Sequence, residues 1–230
     1  MANGKHIATP ARHFNVKAIS VVLVLVLLIG GMIGGTVAWL IDKSDSVVNT
    51  FTYGDINIEL DETDTGLDND GNDTTNEYKM IPGQTIGKDP TITVKSGSEN
   101  NWLFVKLVKS TNFDNFMTFT IADGWTQLYD VQGNEVEGVY FRFQSETDVD
   151  VAYPVLKDDQ VIVKGEVTKQ MLNALDADET YPKLTVTAYA VQYAGFEPEI
   201  TEGQANATEA QVQAAAYKAW TEAVAANANP

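Results

Sequence analysis

The stretch Trp102-Leu103-Phe104-Val105-Lys106-Leu107-Val108-Lys109 decides the fold. In an extended chain its side chains alternate between two faces, which puts Trp102, Phe104 and Val108 on one and Leu103, Val105 and Leu107 on the other. Both faces are apolar, so both need cover, and the strand must be central in its sheet. Residues 184–193 (Leu-Thr-Val-Thr-Ala-Tyr-Ala-Val-Gln-Tyr) have the same character. These two runs are expected to anchor the core.

Outward from them, period-two or short apolar runs predict further strands over residues 49–60, 91–95, 118–121, 125–130, 139–144 and 161–164, separated by Gly, Asn and Asp clusters. In the first of these Ile56, Ile58 and Leu60 share one face, with Asn57 and Glu59 on the other. So many short strands predict an all-β, two-sheet sandwich over residues 39–195. Helical spacing is confined to two places. Thr168 is placed to cap a turn that turns Met171, Leu172 and Leu175 inward. The polar, Ala-rich tail 196–230 carries Val212, Ala216, Tyr217, Trp220 and Val224 at helical intervals, and reads as a surface helix or a frayed end.

At the other end, Lys5, Arg12 and Lys17 precede a segment from Ala18 to Ile41 without a charge, and Val21 to Ile29 is unbroken apolar sequence. Positive residues followed by an apolar run are the order of an export signal, expected as a hydrophobic helix over residues 1–38. Thr36-Val37-Ala38 offers a small-x-small cleavage site before Trp39. The length also suits a retained membrane anchor, the other reading of the same residues.

Composition removes most chemistry. The 230 residues include no cysteine, and both histidines, His6 and His13, lie ahead of the apolar run. A processed chain therefore has no Ser-His-Asp or Cys-His triad and no His- or Cys-based zinc site. Loss of Lys5, Arg12 and Lys17 leaves 12 cations against 32 acids, a surface that repels phosphate backbones. No catalytic residue, cofactor or nucleic-acid partner is expected, and contact with a membrane is expected only through the N-terminal segment.

Three local patterns invite a ligand. Gly83-Gln84-Thr85-Ile86-Gly87-Lys88 is one residue short of a phosphate loop and is followed by Asp89-Pro90, so it reads as a turn leading into a strand. The acidic loop 61–77 contains Asp68, Asp70 and Asp73 at spacings that suit a weak calcium site, although Asp73 stands where an EF-hand needs glycine; the alternative is a solvated loop. Trp102, Trp125, Tyr189 and Tyr193 offer either a sugar platform or core.

Taken together, Gly34-Gly35-Thr36-Val37-Ala38-Trp39-Leu40-Ile41-Asp42, Asn49-Thr50-Phe51-Thr52-Tyr53-Gly54-Asp55-Ile56-Asn57-Ile58-Glu59-Leu60, Met80-Ile81-Pro82-Gly83-Gln84 and Lys88-Asp89-Pro90-Thr91-Ile92-Thr93-Val94 resemble the TasA/camelysin family. These are exported proteins of Firmicutes, processed by a dedicated signal peptidase. The resemblance implies a jelly-roll sandwich secreted to the cell surface or biofilm matrix, and a homo-oligomer or fibre built by donor-strand exchange. The donor would be residues 40–60, with Phe51, Tyr53, Ile56 and Ile58 as plugs. The protease label attached to camelysin is not expected to apply, because a processed chain has no histidine to hold metal. The competing expectation is a monomeric extracellular module binding calcium, a glycan or a host protein.

Overall fold

The computed structural model describes residues 41–44, 56–63, 78–175, 180–201 and 204–228. The chain divides into two units, Met1–Val37 and Ala38–Pro230, and every described residue belongs to the second. The proposed leader with Thr36, Ala38 and Trp39, the plugs Phe51 and Tyr53, and the loop residues Asp68, Asp70 and Asp73 lie outside the described residues.

Strands dominate, in chain order β1 (Ile41–Ser44), β2 (Ile58–Asp61), β3 (Thr85–Gly87), β4 (Thr91–Val94), β5 (Asn101–Lys109), β6 (Met117–Thr118), β7 (Thr126–Tyr129), β8 (Glu135–Gln144), β9 (Val151–Pro154), β10 (Gln160–Val163) and β11 (Leu184–Gln192). Helices are α1 (Phe113–Phe116), α2 (Lys169–Asn173) and α3 (Glu209–Ala228). The strands form a five-stranded antiparallel sheet, β1-β11-β5-β8-β7, and two three-stranded antiparallel sheets, β3-β10-β6 and β2-β4-β9.

β5 is central, as its two apolar faces require. It pairs along all nine residues with β11 and from Asn101 to Lys106 with β8. Leu103, Val105 and Leu107 join Ala188 and Ala190 of β11 in a cluster with Ile58, Ile92, Val94, Val161 and Val163 of the small sheets. Trp102 and Phe104, with Phe141, Tyr189 and Val191, face the other way, under Ala215, Ala216, Ala219, Trp220 and Ala223 of α3. The order of layers is therefore helix, large sheet, two small sheets.

The expected two sheets are thus three, for a local reason. β4 pairs with β9 through Thr91↔Pro154, and β3 with β10 through Gly87↔Gln160, so the register changes by two residues between the pairs. The extra residues sit in a 3-10 turn, Lys157–Asp159, where Asp158 and Asp159 both take left-handed conformations, φ 57° and 53°. Opposite them Pro90 has no N–H to give a ladder. One long ladder is broken there into two sheets.

Other boundaries also moved. The strand expected over 118–121 shrinks to β6, and Ile121 makes only an isolated bridge to Leu156. β9 was not expected at all, and β1 only as part of the donor segment 40–60 that the resemblance implies. The run expected over 49–60 is a strand only at Ile58–Asp61 among its described residues, although Ile56 and Ile58 do point inward and are buried. Gly83 adopts a turn conformation, φ 75°, ahead of β3, in keeping with the structural reading of that glycine pair.

The helix signals have physical counterparts. The Thr168 hydroxyl accepts a bond from the Met171 N–H at 3.2 Å, and Leu175 is buried. Thr168→Ala is expected to cost about 1 kcal/mol, read from the shift of a urea unfolding midpoint. At α3, Thr208 and Gln211 form a reciprocal cap: the Thr208 hydroxyl accepts from Gln211 N–H at 3.3 Å, and Gln211 Oε1 accepts from Thr208 N–H at 2.8 Å. The buried stripe is alanines and Trp220 with partly buried Val212, while Val224, expected inward, is 41% exposed. The alanines let the helix lie close to the sheet, and that proximity turns the stripe by a residue from the larger side chains.

Candidate functional site

Two features of the described residues bear on function: the outer edge of the large sheet, and a polar clasp at the base of the acidic loop.

β1 is an edge strand. Among the described residues it pairs only with β11, antiparallel, from Ile41↔Val191 to Ser44↔Ala188. β11 is nine residues long, so Leu184 to Thr187 are bonded to β5 on one side and, among the described residues, pair with no strand on the other. An edge of this kind exposes backbone N–H and C=O groups that another extended chain can satisfy. The segment 40–60, read as one donor, is divided between two sheets: Ile41–Ser44 lie on the large one, and Ile58–Asp61 pair with β4 in a small one. Ile56 and Ile58 are packed between the layers at 8% and 3% exposure, where they hold this subunit's own core together.

The clasp joins residues on either side of the acidic loop. Lys88 Nζ lies 2.8 Å from Glu62, with the two side chains only 12% and 16% exposed. The Tyr78 hydroxyl donates to the same carboxylate, and Lys88 stands 5.3 Å from the centre of the Tyr78 ring. Burial, then the bond to Glu62, pushes the Tyr78 phenol well above its ordinary pKa, so it stays a donor. Thr63 gives both its N–H and its hydroxyl to Asp89, at 3.0 and 2.6 Å.

At Asp89 burial pushes the carboxyl pKa up, but the two Thr63 bonds and Lys88 together outweigh it, and the net direction is down. A carboxyl with a lowered folded pKa stabilises the fold above its unfolded value, near 4, and that contribution is lost as pH falls through the folded pKa. The gap in urea midpoint between the parent and Asp89→Asn is therefore expected to be widest at pH 6 and to close toward pH 3. A constant gap would show that the Asp89 charge has no part in it.

Among the described residues no three His, Cys, Asp or Glu side chains converge to hold a metal ion. The aromatics proposed as a platform are core in three of four cases: Trp102, Trp125 and Tyr189 are 2%, 9% and 8% exposed. The Trp102 and Trp125 indole N–H groups are spent on the carbonyls of Phe196 and Pro154. Tyr193 is half-buried against Trp102 and the exposed Phe143. Arg142 lays its guanidinium 3.8 Å from the Tyr153 ring centre and 5.5 Å from that of Trp125, closing the seam between the large sheet and β9.

Sequence reasoning offered β1 only within the donor segment 40–60 that the resemblance implies, and missed the clasp as a unit. The one available signal for the clasp was the pairing of Glu62-Thr63 with Lys88-Asp89, opposite charges at the feet of a long loop. Comparison with protein-family models, with curated proteins and with solved structures finds no match to the chain.

Proposed function

We propose that this chain is an exported structural protein of the cell surface or extracellular matrix, of the TasA/camelysin kind, with a jelly-roll sandwich that joins to copies of itself by exchanging its first strand. Its work is done by backbone edges, with no catalytic centre. The observation that carries this reading is β1, a four-residue edge strand on a nine-residue partner, directly following the apolar segment.

Four residue pairs supply a few hydrogen bonds, each worth about 1 kcal/mol net, so detaching β1 costs little compared with opening the sandwich. A donor from a second copy would restore the same bonds. Exchange is then close to isoenergetic and is governed by concentration. A leader still in the membrane would hold the donor back, so removal of residues 1–38 would act as the trigger.

The absence of cysteine gives a clean test. Ser44 and Ala188 are cross-strand partners, a spacing that suits a disulfide. The chain starting at Trp39 and carrying Ser44→Cys and Ala188→Cys is expected to stay monomeric when oxidised and to form fibres, seen by electron microscopy, when reduced. Fibres from the fully oxidised protein would end the strand-exchange reading.

A further inference from the structure

We infer that Gln213 of α3 seals the β7 edge of the large sheet against a strand from a second copy of this chain. The inference rests on the self-association proposed above and says which edge takes no part in it.

A five-stranded sheet has two edges, and β7 is one of them. At β7, Gln213 of α3 reaches over the last strand: its Nε2 donates to the Gln127 carbonyl at 2.9 Å, and its Oε1 accepts from the Tyr129 N–H at 3.1 Å. A carbonyl at one residue and an N–H two residues on are the groups that one residue of a parallel neighbouring strand would take. A single side-chain amide thus stands in for the missing strand. The strand beneath is further blunted, because the β7–β8 register shifts between Gln127 and Tyr129. The Gln127 side chain fills that irregularity by donating to the carbonyls of Leu128, Val136 and Val139. Bulges and covered backbone groups are how sheets avoid unwanted pairing.

The position of Gln213 follows from how α3 lies. Trp220, two turns further along, packs on Phe104 of β5 and Tyr189 of β11, at 5.5 and 5.0 Å between ring centres. The helix therefore runs from β7 toward β1 and approaches both strands. Twenty residues give about 30 Å of helix against roughly 19 Å for five strands side by side, so it spans the sheet.

The test uses the full-length chain in mild detergent, as parent, Gln213→Ala, and Gln213→Ala with Tyr129→Lys. Hydrogen–deuterium exchange of the peptide spanning Tyr129 reads the seal, and sedimentation velocity reads association. Gln213→Ala is expected to speed exchange at least tenfold and to raise the associated fraction, and the added lysine, a charge on the opened edge, is expected to bring association back to the parent level. Unchanged exchange, or faster exchange with parental association, overturns the inference. A full-length parent that stays monomeric while Gln213→Ala associates supports the seal, whereas exchange through β1 is read on the chain starting at Trp39, so the two readings fail separately.

Discussion

Gly138→Ala is expected to destabilise the protein by about 3 kcal/mol or more, the largest effect of any single added methyl group. Gly138 lies inside β8 with φ 67°, and a Cβ there would stand 2.1 Å from the Leu107 carbonyl oxygen. The obstacle is backbone of the central strand, held by β11 on its other side through Leu107↔Val186, so it has no room to yield. Gly133, also left-handed at φ 83°, meets nothing within 4 Å. Gly133→Ala is thus the matched control and should cost about 1 kcal/mol, the backbone penalty alone. Urea unfolding of the two variants side by side checks the claim, and similar midpoints would refute it.

Trp220→Ala is expected to cost about 3–5 kcal/mol and to loosen α3 from the sheet. The helix buries Ala215, Ala216, Ala219 and Ala223, which contribute proximity but little area, so Trp220, 5% exposed between Phe104 and Tyr189, supplies most of the apolar contact. Its loss leaves a void against aromatic rings and uncovers Trp102, Phe104 and Phe141. Binding of an apolar dye by the variant should therefore rise before the sandwich unfolds, and Trp220→Phe, which keeps a ring in place, should cost under about 1.5 kcal/mol. A dye signal equal to the parent's would mean that the helix is held by its alanines and polar contacts.

The central strands were legible because their message is redundant: every residue from Trp102 to Val105 is apolar, whichever face is considered. What covers the second face was half legible. Trp220 and Ala216 were placed inward correctly, but a stripe made of alanines is weak in hydrophobicity, and Val224 drew the reading one residue off. β1 was hidden because Ile41 ends the apolar run and Asp42-Lys43-Ser44 has no alternation to display. β9 was hidden by Pro154 and the flanking Asp148 and Asp150, which look like a turn. The start of β8 was placed at Val139 because Glu135-Val136-Glu137-Gly138 reads as a connection, when the glycine marks a close approach within the strand. The division of the small layer depends on two aspartates in left-handed conformations, which no pattern of side chains announces. At the candidate site, Ile56 and Ile58 were read as plugs for a neighbouring copy and are buried in this one, because burial inside their own subunit and exchange with another are the same pattern on paper.

The clasp formed by Glu62, Thr63, Tyr78, Lys88 and Asp89 has a practical corollary. It fixes Thr63 and Tyr78, the two feet of the acidic stretch, to the short link between β3 and β4. A span anchored at both feet adds little to the cost of folding when it grows, because doubling its length adds only about 0.6 kcal/mol of closure entropy. Foreign peptides spliced between residues 68 and 73 are therefore expected to leave the stability of the sheets nearly unchanged, each copy of the chain carrying one insert.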